Sequence, residues 1–423
     1  MDPLCRPLTL PEQAWLAQSS LISLVGQVHT LNKDTLISAV STARSRNPYL
    51  NVAINTTELK YERNETIPIT SETMDTLFSQ ESIHTIVQHQ LTIGVDRTVS
   101  LAKCHLVTYQ DTQSLLVICD HLCFDGKSAM TLFQSICNEA SNEAKATTNE
   151  TRTQIEMLEF INWTDNIPTN ISFETAYQPP FETMRIKPKE DIASSTELAT
   201  MNVSDVIVTL PADLFLALKV KTKEQNTTLN APLMAAFLAA AGDVAVQRNA
   251  TDYGTQKTYQ IRSVCAVDVR GKLNLSDDYM NNSAGVVPVH ATFQRDTTNV
   301  DALWQSAIAA QNIMIQNIEN NEAYRLNDIT NNQRFNEFPG YFDIIGLWSN
   351  MGMLRCNDGV GVNNLEVHLA GSAANPIVSG HPITNQSDGR CNLTLTYSSG
   401  FHSKETIAYW GERFLHHVGT MCG

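Results

Sequence analysis

Charge is scarce in this chain. Only 17% of its 423 residues are charged, and the basic ones are the scarcer, 29 against 44, for a formal net charge of −15. That balance argues against nucleic acid and anionic membrane as partners, and it obliges any phosphate-bearing ligand to find a local basic patch. Long hydrophobic runs are missing too: the longest, Ala231 to Ala241, contains Pro232 and is too short to cross a bilayer. The opening MDPLCRPLTL has no apolar h-region, so no signal peptide is expected and a cytoplasmic location is the default. Paired cysteine is also absent. The nine thiols are odd in number with no CxxC spacing, so reduced side chains are expected rather than a disulfide framework, a zinc site or any other metal. Sequons at Asn55, Asn64, Asn149, Asn162, Asn226 and Asn392 carry little weight in a chain rich in Asn and Thr throughout.

What is present centres on Ser114 to Glu139. Ser114 to Cys119 is a short Leu, Val and Ile run, the composition of a strand buried on both faces. Within six residues the chain then places an imidazole at His121, a carboxylate at Asp125 and, at Gly126, a residue free to adopt unusual backbone angles. A helix follows, with Ser128 as its expected cap and Ala129, Leu132, Phe133, Ile136 and Cys137 repeating at three and four to bury one face. His121 therefore sits where a strand ends and a loop begins, a rigid platform of the kind that carries catalytic residues.

The remaining elements frame it. Thr9-Leu10-Pro11-Glu12 predicts a capped helix through Ser19; Leu21 to His29 predicts a strand; Asn32 caps a helix that Asn47-Pro48 ends. Asn51 to Ile54 predicts a strand, and 101–109 with 114–119 a hairpin joined by Gln110 to Gln113. Residues 140–154 are polar and without period, a solvated excursion. Pro179, Pro180 and Pro188 mark a crossover at 178–204, dividing the chain into an N-terminal lobe, 1–177, and a C-terminal lobe, 205–423. The second half predicts a strand at 206–210, helices at 211–225 and 231–248, a strand at 261–269, a helix at 300–318, strands at 341–348 and 391–397, and a helix at 404–418.

His121-Leu122-Cys123-Phe124-Asp125-Gly126 resembles the HxxxDG signature of the thioester-dependent acyltransferase superfamily, which includes chloramphenicol acetyltransferase, condensation domains, polyketide-associated acyltransferases, alcohol acetyltransferases and the BAHD enzymes. The residue before His121 is Asp120, where condensation domains usually carry a second His. Arg46-Asn47-Pro48-Tyr49-Leu50, Asp268-Val269-Arg270-Gly271-Lys272-Leu273, Tyr279 to Asn282 and Ser349-Asn350-Met351-Gly352 are similar to further family segments, with Asn281 in place of a Gly; the BAHD DFGWG motif is absent. The resemblance implies a mixed α/β fold of two chloramphenicol acetyltransferase-like lobes, each a mixed sheet flanked by helices, with the active-site tunnel between them. It also implies that Asp125 turns away from the site to an Arg, here Arg270, in a structural pair.

Acyl transfer from a thioester needs a base for the acceptor's proton, stabilisation of the tetrahedral oxyanion and an acid for the leaving thiolate. One His can supply base and acid in turn, without an acyl-enzyme. The resemblance thus implies a monomeric enzyme with no bound cofactor, taking acyl-CoA as co-substrate and a small-molecule alcohol, or an amine, as acceptor, with His121 catalytic. Asn282, Ser349 and Asn350 are candidates for the oxyanion or the substrate. Cys123 is discounted as a nucleophile, since the loop aims it into the core. For the CoA phosphates, Lys219 and Lys223 share a helix face near Lys221; Arg185, Lys187 and Lys189 in the crossover are the other cluster. A carrier-protein thioester feeding a condensation-type N-acyltransferase, and a non-catalytic binding relative, are the alternatives.

Overall fold

The computed structural model describes residues 4–29, 31–75, 79–145, 186, 203–248, 257–294, 299–324, 345–357, 360–371 and 377–423. Most of the expected crossover, with Arg185, Lys187 and Lys189, and residues 341–344 of an expected strand lie outside them.

Among the described residues there are eight α-helices: α1 (Leu10–Gln18), α2 (Lys33–Arg46), α3 (Gln80–Ile93), α4 (Gly126–Lys145), α5 (Ala212–Glu224), α6 (Asn230–Arg248), α7 (Val300–Glu319) and α8 (Lys404–Cys422). The first-half strands are β1 (Leu21–Val28), β2 (Val52–Asn55), β3 (Lys60–Arg63), β4 (Ile69–Thr73), β5 (Ala102–Tyr109) and β6 (Thr112–Asp120). The second half adds β7 (Val203–Leu210), β8 (Thr258–Asp268), β9 (Ala284–Gln294), β10 (Gly346–Trp348), β11 (Gly352–Leu354), β12 (Val362–Ala370), β13 (Val378–Asn385) and β14 (Cys391–Ser398).

Two mixed sheets organise these elements. The first runs β12-β1-β6-β5-β4; the second runs β7-β14-β13-β10-β8-β9, with β11 beside β13. The N-terminal signals act as read: Thr9 and Glu12 form the capping box of α1, and Asn32 accepts from the Asp34 and Thr35 amides to start α2. The β5–β6 hairpin is tighter than expected, because the strands continue to Tyr109↔Thr112 and leave Gln110 and Asp111 as the turn, with Gln110 at φ +49°. Its central strand β6 is buried from Ser114 to Asp120. Helix α4 continues to Lys145, into the stretch read as a solvated excursion.

The second lobe is built on α6, where every residue from Ala231 to Ala241 is buried. Its alanines suit a helix enclosed by the second sheet, α7 and α8. At Gly242 a Cβ would stand 2.0 Å from the Tyr259 ring, so only Gly permits that approach.

One strand crosses the expected division. β12, from the C-terminal half, pairs with β1 as the edge of the first sheet (Leu21↔Ala370 to Val28↔Val362). Its outer carbonyls are covered by the second sheet: Asn385 Nδ2 donates to Val362 O (2.6 Å) and Asn392 Nδ2 to Leu365 O (2.8 Å). An exposed edge is thereby closed by side-chain amides, and the two sheets meet face to edge. At the same seam His368 of β12 is held between Asp205 (3.1 Å) and Glu366 (3.3 Å), while Thr396 and Gln88 also donate to Asp205.

Candidate active site

β6 delivers His121 to this seam through a turn closed by its own last residue. The Asp120 carbonyl accepts from the amides of Cys123 (3.1 Å) and Phe124 (3.0 Å), and its carboxylate accepts from Leu122 N (3.0 Å). Asp120 is fully buried, and its charge is balanced by Arg97, whose Nε and Nη2 both reach the carboxylate while Nη1 donates to Leu16 O. The residue that replaces the condensation domains' second His thus shapes the loop.

His121 is fixed from three sides. Its amide donates to Ser20 O (2.9 Å), its carbonyl accepts from Asn282 Nδ2 (2.7 Å), and its ring stacks on Trp15 of α1 with centroids 4.5 Å apart at 25°. Nδ1 is buried without a hydrogen-bond partner and the residue as a whole is half-buried, which leaves Nε2 as the nitrogen open to a ligand. Burial lowers the His121 pKa below 6.5, outweighing nearby carbonyls and the carboxylates of Asp125 and Asp120. The imidazole is therefore neutral near pH 7, the state a base requires.

Asp125 faces away from that ring. Its Oδ1 accepts from Arg270 Nη2 and its Oδ2 from Arg270 Nη1, both at 2.9 Å, with the Ser128 amide (2.8 Å) and the Ser283 amide (2.9 Å) completing its shell. Arg270 is 0% exposed and also bonds Asp268 Oδ1, Ser128 Oγ, and the carbonyls of Tyr279 and Asn281. Burial opposes the guanidinium's charge, but Asp125 and Asp268 outweigh it and raise the Arg270 pKa.

This cluster corrects two readings of the helix start. Asp125, not Ser128, caps α4, with Oδ1 on Ser128 N and its carbonyl on Ala129 N. Ser128 Oγ instead donates to Asn281 O (2.6 Å) and accepts from Asn281 N (3.0 Å), pinning the loop after Arg270 to the helix. Gly126 is the first residue of α4 and has no positive φ; what it provides is room, since a Cβ there would lie 2.4 Å from Met351 Sδ. Asn281, in the position of a family Gly, also needs no positive φ.

The other candidates lie as follows. Asn282 donates one amide N–H from Nδ2 to the His121 carbonyl and so positions the loop. Asn350 is exposed and engaged with Asn230 (3.0 Å) and the Gly352 amide (2.9 Å). The Ser349 amide donates to Gly380 O (2.9 Å). Lys219 and Lys223 share a face of α5, with Lys219 Nζ seated over the Phe215 ring (4.3 Å) and Lys223 exposed. Cys123 is 1% exposed against Tyr61 Oη (3.1 Å), and burial raises its pKa, which leaves an inert thiol. Among the described residues no group of His, Cys, Asp and Glu is placed to hold a metal, and no helix is long and apolar enough to cross a membrane.

Sequence reasoning did not find Trp15, Arg97 or His381. Each meets the site from a segment remote in sequence, with no local pattern to mark it. His381 on β13 is 4% exposed with Nε2 unpartnered, and burial pushes its pKa down to about 4 while His121 also acts on it.

No protein-family model and no curated protein matches the sequence. Solved structures do match the fold along almost the whole chain. TRI3 trichothecene 15-O-acetyltransferase from Fusarium sporotrichioides superposes with a TM-score of 0.67 at 11% identity, covering 99% of this chain and 95% of that one. The starter condensation domain of rhizomide synthetase, solved as a mutant in complex with C8-CoA, gives 0.66 at 12% identity over 99% and 94%. The epimerization domain of the third module of tyrocidine synthetase B gives 0.66 at 13% over 99% and 96%. At these identities the likeness is one of architecture, and the chain has the two-lobed fold of the chloramphenicol acetyltransferase-like condensation and acyltransferase superfamily.

Proposed function

We propose that the protein is an acyltransferase that moves an acyl group from a coenzyme A thioester to the hydroxyl of a small molecule, with His121 as general base and no acyl-enzyme. The observation that carries this reading is the Trp15-stacked imidazole, open at Nε2, with its following Asp125 committed to Arg270. His121 Nε2 removes the hydroxyl proton as the oxygen attacks the thioester carbonyl. The tetrahedral intermediate then collapses, the C–S bond breaks, and the imidazolium returns the proton to the leaving thiolate. A thioester is already activated, so orientation of the two substrates supplies much of the rest.

An O-acetyltransferase and a domain bound to C8-CoA share the fold, which supports both acceptor and donor classes. The net charge of −15 also disfavours docking of an acidic carrier protein. The likeness to a condensation domain favours a second reading, an N-acyltransferase supplied by a carrier protein. Incubating the protein with a panel of acyl-CoAs and a cell extract, followed by mass spectrometry of products, tests the first. Acylated products that vanish with His121→Ala support it; their absence for every donor, with transfer from a carrier-bound thioester, gives the second.

A further inference from the structure

The face of the second sheet turned toward the first carries several buried polar atoms with no partner among the described residues: Asn392 Oδ1, Thr394 Oγ1 and Ser398 Oγ on β14, and His381 Nε2 on β13. Along β14, Cys391, Leu393 and Leu395 enter the core of the second lobe, whereas Asn392, Thr394 and Thr396 alternate onto the other face. Thr396 and Asn392 hold the sheets together from that face, through Asp205 and Leu365 O. Thr394, between them, pairs in register with His381 of β13. Neither is satisfied: Thr394 Oγ1, in a residue 0% exposed, and His381 Nε2, in one 4% exposed, have no partner among the described residues. Buried polar atoms are rarely left this way without a reason, and here two lie on directly opposed residues.

Their place ties them to His121. Pro382, next to His381, accepts from Met351 N (3.0 Å), and Met351 Sδ lies against Gly126 at the start of the helix that follows His121. His121 also adds to the lowering of the His381 pKa.

We propose that His381 Nε2 and Thr394 Oγ1 recognise a second hydroxyl of the acceptor, so that the acceptor class is a polyol rather than a simple alcohol. The inference rests on the acyltransferase reading. A hydroxyl both donates and accepts, and a neutral imidazole beside a Thr hydroxyl offers the complement of both. The pair brings no charge of its own to an ammonium or a carboxylate: burial keeps His381 neutral, and Asp205 is already engaged by His368, Thr396 and Gln88.

Two measurements on the full chain test this without turnover. The first is the melting temperature of Thr394→Val, an isosteric change: with no partner to lose, the ligand-free variant keeps or gains stability, and a drop of several degrees would show a structural hydroxyl and overturn the proposal. The second is a titration of histidine-15N-labelled protein at pH 7 with hexane-1,2-diol and with hexan-1-ol, the His381 resonance being assigned from His381→Gln. The diol is expected to shift His381 and to bind about 10-fold more tightly than the mono-alcohol, and Thr394→Val to cut that preference about 5-fold, as for one lost hydrogen bond. Equal binding of the two alcohols, or no movement of His381, would overturn it. If the diol preference holds while no acyl transfer is found, the reaction is wrong and the recognition pair stands.

Discussion

Asp125 and Arg270, 145 residues apart, meet in a two-point buried ion pair with both contacts at 2.9 Å. Asp125 caps α4, and Arg270 organises the 279–283 loop whose Asn282 holds the His121 carbonyl, so one pair couples the HxxxDG loop to the second half of the chain. Removing one partner leaves a buried charge that is poorly compensated: without Asp125, Arg270 at 0% exposure keeps only Asp268, and without Arg270, Asp125 loses its cation. Asp125→Ala should therefore destabilise by about 3–5 kcal/mol and lower activity with it. Adding Arg270→Ala should recover part of the lost stability in denaturant titrations. Strictly additive losses would mean that the two do not act as a pair.

His121→Ala removes a half-buried loop imidazole and should leave the melting temperature nearly unchanged while turnover falls about 10²–10⁴-fold. Because burial lowers the His121 pKa, the acid limb of kcat/KM against pH should fall below about 6.5, the ordinary value. A limb above 6.5, or a variant retaining more than about a hundredth of wild-type turnover, would remove His121 from the base role.

Stability should depend on pH through the seam. Burial opposes protonation of His368, but Asp205 and Glu366 overcome it and push the pKa up to about 9. A folded pKa above the unfolded value of about 6.5 means stabilisation that is complete below 6.5 and lost as pH rises through 9, on the order of 3 kcal/mol in all. His381 has the opposite sign: held neutral down to about 4, it costs stability as pH falls below about 6.5. Together the two impose a maximum near pH 6.5. In melting curves from pH 5 to 9.5, His368→Gln should flatten the alkaline side, and an unchanged slope there would show that His368 is not charged in the folded state.

For the donor, Lys219 and Lys223 are the basic pair to test. If they meet the CoA phosphates, replacing both with Ala should raise KM for acyl-CoA with little change in kcat, as for lost uniform binding. The effect should shrink with an acyl-pantetheine donor that lacks the nucleotide. Lys219 already rests on Phe215, so a purely structural role would instead appear as a lower melting temperature with KM unmoved.

Short-range chemistry was legible in the residues. The capping box at Thr9 and Glu12, Asn32 on α2, the buried run of β6 and the apolar face of α4 at Ala129, Leu132, Phe133, Ile136 and Cys137 each depend on neighbours within a turn or a strand. The Asp125–Arg270 pair came from the family resemblance, not from spacing. Strands β3, β4, β9, β11, β12 and β13 and helix α3 went unread. β12 is the instructive one, since nothing within 362–370 records that its partner is β1.

The sequence by itself determined where the strand would stop and turn at His121, because that outcome is written in the alternation of apolar run, polar loop and periodic helix. Only the tertiary structure decided what surrounds the imidazole: Trp15 against its face, Arg97 balancing Asp120, Asn282 on its carbonyl, and His381 brought in on β13. The physical reason is range. Capping and periodicity act within about four residues along the chain, whereas desolvation and charge compensation act through space and are set by segments that local pattern cannot bring together.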